Sequence, residues 1–249
     1  MNLSGKIALV TGGTRGIGAA TALALARAGA DVALVGRRLD NEAGSSRAAV
    51  LAQGRRAELI QADCGQPDEA TRCVRETESR LGPVDVLVHC VGGPVNGGLF
   101  DLASETWHAV FDVHVHAAFH LCRAAIPAMR AKKEGAIVLV SSVAGLRGVV
   151  THVAYQVVKG ALPQFARALA REFANDNIRV NCVAPGIIRT GFHAAMTEEQ
   201  RRLNLDQRIP LHREGTPEQV AEAILALVKN DYITGETVTV DGGLTMRIP

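Results

Sequence analysis

Short runs of apolar, mostly β-branched residues alternate along the chain with longer stretches whose apolar positions recur at helical spacing. Ile7–Val10 reads as a buried strand, and Gly16–Ala28 as a helix that stops at Gly29. The alternation continues with strand Val32–Val35, helix Asn41–Ala52, strand Ala57–Gln61 and helix Pro67–Leu81, which has proline in its first turn. Strand Val84–His89 follows, then a long helix over Trp107–Arg130, strand Ala136–Ser141, a second long helix over His152–Ala174, strand Arg179–Val183 and a last strand, Val238–Val240. A repeated βαβ order predicts an α/β fold: a doubly wound parallel sheet of about seven strands with helices on both faces. No composition shift or Pro/Ser-rich linker divides the chain, so one domain is expected over 1–249. Thr190–Thr216 is the one long irregular stretch. It follows a strand on the sheet edge where such folds bind ligands, and it reads as a substrate lid around 190–216 with a short helix near Thr197–Leu205.

Composition narrows the class. Of 249 residues 47% are hydrophobic but only 4% aromatic, a mix that suits helices packed closely on a buried parallel sheet. The net charge of +2 implies no nucleic-acid or other polyanionic partner. The five cysteines form no Cys-x-x-Cys pair and read as free thiols in a reducing compartment. No apolar run is long enough to span a bilayer, and the N-terminus runs straight into the first strand, so the expectation is a cytoplasmic protein without a membrane partner.

Three constellations carry chemistry. The first strand ends in Thr11-Gly12-Gly13-Thr14-Arg15-Gly16-Ile17-Gly18, and a helix begins at once. Glycines permit a tight turn and a close approach of pyrophosphate to backbone N–H groups, and the helix N-terminus adds partial positive charge. The second strand ends in Gly36-Arg37-Arg38, with no carboxylate where an NAD site places one. Two guanidiniums there suit the 2′-phosphate of NADP(H), which is favoured, with NAD(H) the alternative; Asp40 lies beyond them. Tyr155 and Lys159 stand i and i+4 on one helix face. A neighbouring ammonium is expected to lower the phenol pKa, so that Tyr155 can give a proton to a carbonyl oxygen or take one from an alcohol. Ser142, at the end of the fifth strand, can bond the reacting oxygen.

Together these pieces resemble the short-chain dehydrogenase/reductase family of the plain single-domain, Rossmann-like type, and the resemblance covers the whole chain. Thr11-Gly12-x-x-x-Gly16-x-Gly18 is similar to the family's cofactor turn. Asp63, with Cys64 beside it, stands where the family bonds the adenine amino group. Ser142, Tyr155 and Lys159 match the catalytic residues in type and spacing. Pro185-Gly186-Ile187-Ile188-Arg189-Thr190 resembles the segment around the nicotinamide, where the threonine bonds the carboxamide, and Val240-Asp241-Gly242-Gly243 resembles the family's usual end. The resemblance implies hydride transfer between the nicotinamide and a small-molecule carbonyl or alcohol substrate. Tyr155 would supply or accept the proton, Lys159 hold the ribose hydroxyls and Ser142 bind the carbonyl oxygen. It also implies a homotetramer, or a homodimer, built on the two long helices and the last strand.

Two departures stand out. The family's Asn-Asn-Ala-Gly is here His89-Cys90-Val91-Gly92, in which Gly92 alone remains to let the cofactor approach. His114 replaces an asparagine of the long helix that helps link the lysine to solvent, and a histidine titrating near neutral pH could act in that relay directly. His114→Asn is therefore expected to leave substantial turnover. His116 and His120 have a metal-binding spacing, but no third ligand accompanies them, and they read as an ordinary helix face. Met196, His193 and His212 in the lid, and His152 ahead of Tyr155, are candidates for substrate contact. Two alternatives remain. One is a weakly catalytic dinucleotide-binding sensor. The other is a ketoreductase of acyl-carrier-protein thioesters, favoured by Tyr232-Ile233-Thr234-Gly235-Glu236 and by Arg130, Lys132 and Lys133, and disfavoured by Asn175-Asp176-Asn177, where such reductases carry an arginine.

Overall fold

The computed structural model describes residues 1–191 and 196–246. The apolar runs become seven strands: β1 (Ile7–Thr11), β2 (Asp31–Gly36), β3 (Ala57–Gln61), β4 (Val86–His89), β5 (Gly135–Val140), β6 (Ile178–Pro185) and β7 (Thr237–Val240). All pair in parallel, in the order β3-β2-β1-β4-β5-β6-β7. Every residue of β1, β2, β4, β5 and β6 is buried, which is why these strands read as continuous apolar runs.

Successive side chains point to opposite faces of the sheet. Leu9 packs with α3 (Pro67–Arg80), α5 (Ala117–Lys132) and α6 (Val153–Glu172) through Val74, Leu121 and Leu162. Ala8 and Val10 pack on the other face with α1 (Gly16–Arg27), α2 (Asn41–Leu51) and α8 (Pro217–Lys229) through Leu25, Val50 and Ile224. The strand order reverses between β1 and β4, and the cleft outside their carboxyl ends is where such sheets bind ligands.

Three differences from the pattern-based reading have physical causes. The expected helix Trp107–Arg130 is α4 (Ser104–Phe111), a π-turn (Asp112–His116) and α5. Periodicity does not register a single wide turn inside a continuous helix. Val84 and Asp85 precede β4; the Asp85 carboxylate accepts from Ile7 N at 2.9 Å and pairs with Lys132 at 2.6 Å. Helix α8 was not anticipated. Its signal was present in the Thr216–Gln219 capping box, in Pro217 and in the apolar stripe Val220, Ala221, Ile224, Leu227 and Val228. In the lid stretch, α7 (Glu198–Leu203) takes the place expected for the short helix, and a π-turn (Asn204–Arg208) follows it.

Candidate active site

At the end of β1 the chain folds back so tightly that a Cβ on Gly18 would lie 2.0 Å from the Gly12 carbonyl oxygen. Only glycine fits there. Helix α1 opens behind this turn with no acidic residue in its first turn and no side-chain cap from Arg15. Its first N–H groups thus have no cap from the Arg15 side chain and no acid within the first turn, which leaves them open to an anion. The turn is braced on its outer side, where Ser46 Oγ donates to the Thr14 carbonyl at 2.9 Å. A Cβ on Gly36 would meet the Thr14 side chain at 2.8 Å, which holds the start of Arg37-Arg38 against the turn. Both arginines are exposed. A cavity of about 350 Å³ beside the turn is lined by Thr14, Arg15, Gly16 and, from α2, Glu42, Ser45 and Ser46.

The segments named from the sequence converge on this turn. The Gly12 α-carbon faces the backbone of Cys90 after β4, and that of Gly16 faces Thr190, whose Cγ2 lies 3.5 Å from the Cβ position. Ile188 is buried in the α1/α8 core, and Ile17 packs against it. Pro185 ends β6, and the next residue, Gly186, lies against Asp241 past the end of β7. Asp63 accepts from Gly65 N at 3.1 Å after β3, while the Cys64 thiol points into the core. Cys64 therefore has only its backbone to offer a ligand.

Ser142 lies just past β5 in extended backbone, where its Oγ accepts from Ala144 N at 3.2 Å and also hydrogen-bonds the Tyr155 phenol. Lys159 is buried one turn along α6, its Nζ donating to the Val140 carbonyl at 2.8 Å and standing 5.9 Å from the Tyr155 ring centre. Ser141 Oγ donates to the Lys159 carbonyl at 2.6 Å, which locks helix to strand. Burial lowers the Lys159 pKa to about 8, opposed by Cys90 and Cys182. Burial also pushes the Tyr155 phenol above its ordinary value, opposed by the Ser142 hydrogen bond. The net shift is thus upward rather than the lowering expected: desolvation of the phenolate outweighs the Ser142 hydrogen bond.

The departures from the family pattern meet in space. His89 Nδ1 lies 2.9 Å from Thr11 Oγ1, so this histidine ties β4 to β1. His114, on the π-turn, packs edge-on against Tyr155, with ring centres 5.9 Å apart and planes at 86°. Its ring fills the space a side chain on Gly92 would need, with Cε1 2.3 Å from the Cβ position. Gly92, at φ +148°, thus accommodates His114 rather than standing bare for a ligand alone. Both histidines are buried, and His89 Nε2 and His114 Nδ1 have no hydrogen-bond partner. Burial, and then the Lys159 ammonium, lower the pKa of His89 to about 3 and that of His114 to about 2. The Gly93 carbonyl acts weakly the other way on His114. The expectation that His114 titrates near neutral pH is therefore wrong; it is a neutral ring.

The remaining candidates are placed as follows. His152 precedes α6, its Nδ1 donating to the Val150 carbonyl at 2.9 Å, and it pairs with Gly97 in a short bridge. Met196 Sδ accepts from Asn204, and His212 Nδ1 donates to the Leu205 carbonyl, so both are engaged locally between residues 196 and 212. His193 lies outside the described residues. His116 bonds Asp112 at 2.8 Å, and His120 packs against Phe119. Among the described residues no helix is long and apolar enough to cross a membrane, and no cluster of three His, Cys, Asp or Glu side chains is arranged for a metal.

Comparison with known proteins bears on the whole of this geometry. A family model described as Enoyl-(Acyl carrier protein) reductase matches residues 12–245. The 3-oxoacyl-[acyl-carrier-protein] reductase FabG of Chlamydia muridarum is 36% identical over 246 residues, covering 97% of this chain and 98% of its own. Dehydrogenase/reductase SDR family member 4 of Oryctolagus cuniculus is 36% identical over 250 residues, covering 99% and 96%. The structure of a blue fluorescent protein from a metagenomic library, solved in complex with NADPH, superposes with a TM-score of 0.91 at 34% identity, covering 98% of this chain and all of its own.

Proposed function

The chain belongs to the short-chain dehydrogenase/reductase family of oxidoreductases, and from that premise we propose that it is an NADP(H)-dependent reductase of a small carbonyl compound, acting through Ser142, Tyr155 and Lys159. The observation that carries this reading is the Ser142–Tyr155 hydrogen bond, with Lys159 one turn along, at the carboxyl end of β5 and close to the glycine turn. The residues present fit a dinucleotide: a turn that only glycine can make, an uncapped helix N-terminus behind it, and a cavity lined by Arg15 beside it.

When bound, the nicotinamide supplies the hydride. The chain does the rest. Gly12, Thr14, Arg15, Gly16, Ile17 and Gly18 hold the pyrophosphate, with Arg37 and Arg38 at the 2′-phosphate and Asp63 and the Cys64 backbone at the adenine. Gly92, Pro185, Gly186, Ile188 and Thr190 line the nicotinamide side. Ser142 Oγ orients the carbonyl oxygen. Tyr155, a neutral phenol at neutral pH, donates the proton to that oxygen. Lys159 Nζ uses one N–H on Val140 and has others for the ribose hydroxyls. His114, kept neutral, is a wall that orients the tyrosine ring and not an acid in its own right. The stretch around 190–216 closes over the substrate as a lid, and copies of the chain associate through the long helices and β7, whose residues are only half-buried.

A ketoreductase of acyl-carrier-protein thioesters is the second reading, favoured by the similarity to the chlamydial enzyme. Against it, Arg130 and Lys133 are both paired with Asp176, which leaves less free positive charge for an acidic carrier. The test is NADPH oxidation with a panel of ketones, diketones and sugars. Turnover should vanish in Tyr155→Phe while NADPH still quenches protein fluorescence. A Tyr155→Phe protein as active as the parent refutes the mechanism.

A further inference from the structure

The Glu214 side chain is only 6% exposed, yet two guanidiniums meet its carboxylate. Arg201, from α7, closes on it as a fork, with Nε 3.1 Å from Oε1 and Nη2 3.2 Å from Oε2. Arg189, which precedes Thr190, places its Nε 3.3 Å from Oε2. The backbone beside them is paired as well. Gly215 N donates to the Ile187 carbonyl and Arg189 N to the Gly215 carbonyl, both at 2.9 Å. A Cβ on Gly215 would lie 2.5 Å from Ile188 Cδ1, so the two stretches meet where only glycine fits. One carboxylate thus ties three places together: α7, the stretch ahead of α8, and the segment that runs from β6 to Thr190 and Gly16.

A buried carboxylate is a poor source of stability, since an apolar side chain of similar size packs without the cost of desolvating a charge. What it supplies is a fixed point, because a guanidinium fork on a carboxylate has one preferred geometry. The Arg201 hydrogen bond, against burial, holds the Glu214 carboxyl below the usual carboxylate range, so the group is ionised at neutral pH. The Arg189 and Arg201 side chains are 70% and 45% exposed, so water can solvate either guanidinium, whereas it cannot reach Glu214. Arg189 therefore keeps the buried charge paired when Arg201 lets go. We propose that Glu214 is a positioning residue that seats α7 on the Ile187–Thr190 segment, registering the substrate side of the cleft to the side proposed for the nicotinamide. The inference rests on the proposed function of those two sides and deepens it.

The experiment is a double-mutant cycle on Glu214→Gln and Arg201→Gln. KM and kcat are measured for the best carbonyl substrate of the panel, Kd for NADPH by fluorescence, and the rate of tryptic cleavage after the exposed Arg202. Either single change should raise KM about tenfold, the size of a lost charge-assisted hydrogen bond, and should speed cleavage by a similar factor. Both kcat and the NADPH Kd should stay within about twofold of the parent. The double variant should do no more than either single one, because both remove the same fork. Arg201→Gln leaves Arg189 on the carboxylate, so it carries the test if Glu214→Gln does not fold. An unchanged KM overturns the inference, and so does a double variant whose effects multiply. A loss confined to kcat and the urea midpoint also overturns it, since that is what a merely structural pair gives. A parent without carbonyl turnover removes the proposed function and this role together; the digestion tells that failure apart, because it reads the seating of α7 alone.

Discussion

Acid should unfold this protein early, and two buried histidines are the reason. His89 and His114 are neutral in the folded state, with pKa values of about 3 and 2, and regain an ordinary value near 6.5 when the chain unfolds. Between those limits the unfolded state binds more protons than the folded one, so stability is complete above pH 6.5 and falls as the pH drops below it. Lowering the pH from 7 to 5 should withdraw about 2 kcal/mol per histidine, or about 4 kcal/mol for the pair. That is a large share of the roughly 5–15 kcal/mol typical of a folded domain. Lys159 is the cation next to them, and it does not titrate in this window, since its pKa is about 8. The assay is urea unfolding at pH 7 and pH 5 on the parent and on His114→Asn. Carboxylates contribute alike to both proteins, so the difference isolates one ring. The variant should lose about 2 kcal/mol less than the parent over those two pH units while keeping substantial turnover at pH 7. Equal losses in the two proteins would show that His114 is not held neutral, and complete loss of turnover would give it an essential chemical role.

Two further outcomes follow from the same site. Gly92→Ala places a methyl 2.3 Å from His114 Cε1 at a φ of +148° and should destabilise the protein by roughly 2–5 kcal/mol through overpacking and backbone strain. Adding His114→Asn should return about 1–3 kcal/mol of that in denaturant melts, and strict additivity would refute the contact. Because Lys159 loses its proton near pH 8, kcat for carbonyl reduction should fall about tenfold per unit above it; a profile flat to pH 9.5 would mean that the ammonium is not required.

What could be read from residues alone followed the physics of each signal. Fully buried parallel strands advertise themselves as apolar runs, as Ile7–Val10 does, which the structure extends by one residue to Thr11. Glycine spacing revealed the tight turn after β1 because a Cβ at Gly18 has no room. The i, i+4 spacing of Tyr155 and Lys159 placed them on one helix face. The π-turn stayed hidden, since one residue of slack leaves no periodic trace, and it is this turn that carries His114. That His114 meets Gly92 and Tyr155 is a fact of tertiary packing, and so is its loss of basicity. Composition treats a histidine as a neutral-pH switch until its surroundings are known. The ion pairs of Arg15 with Asp40 and Glu42 left no sequence signal, because the partners lie a whole strand away.

Synthesis delivers β1, β2 and β3 first, and these three neighbours make one complete flank of the sheet. The glycine turn, Arg37, Arg38 and Asp63 belong to that flank, whereas Ser142, Tyr155 and Lys159 arrive only with β5 and α6. A nascent chain therefore completes the half of the cleft proposed for adenosine before Ser142, Tyr155 and Lys159 exist, and β1 presents an unpaired edge until β4 emerges to cover it. The two halves close on one another where Thr190, from beyond β6, reaches Gly16. A dinucleotide bound as proposed would span both and act as a clasp on the finished sheet, and by mass action it would stabilise only chains made and folded to that point.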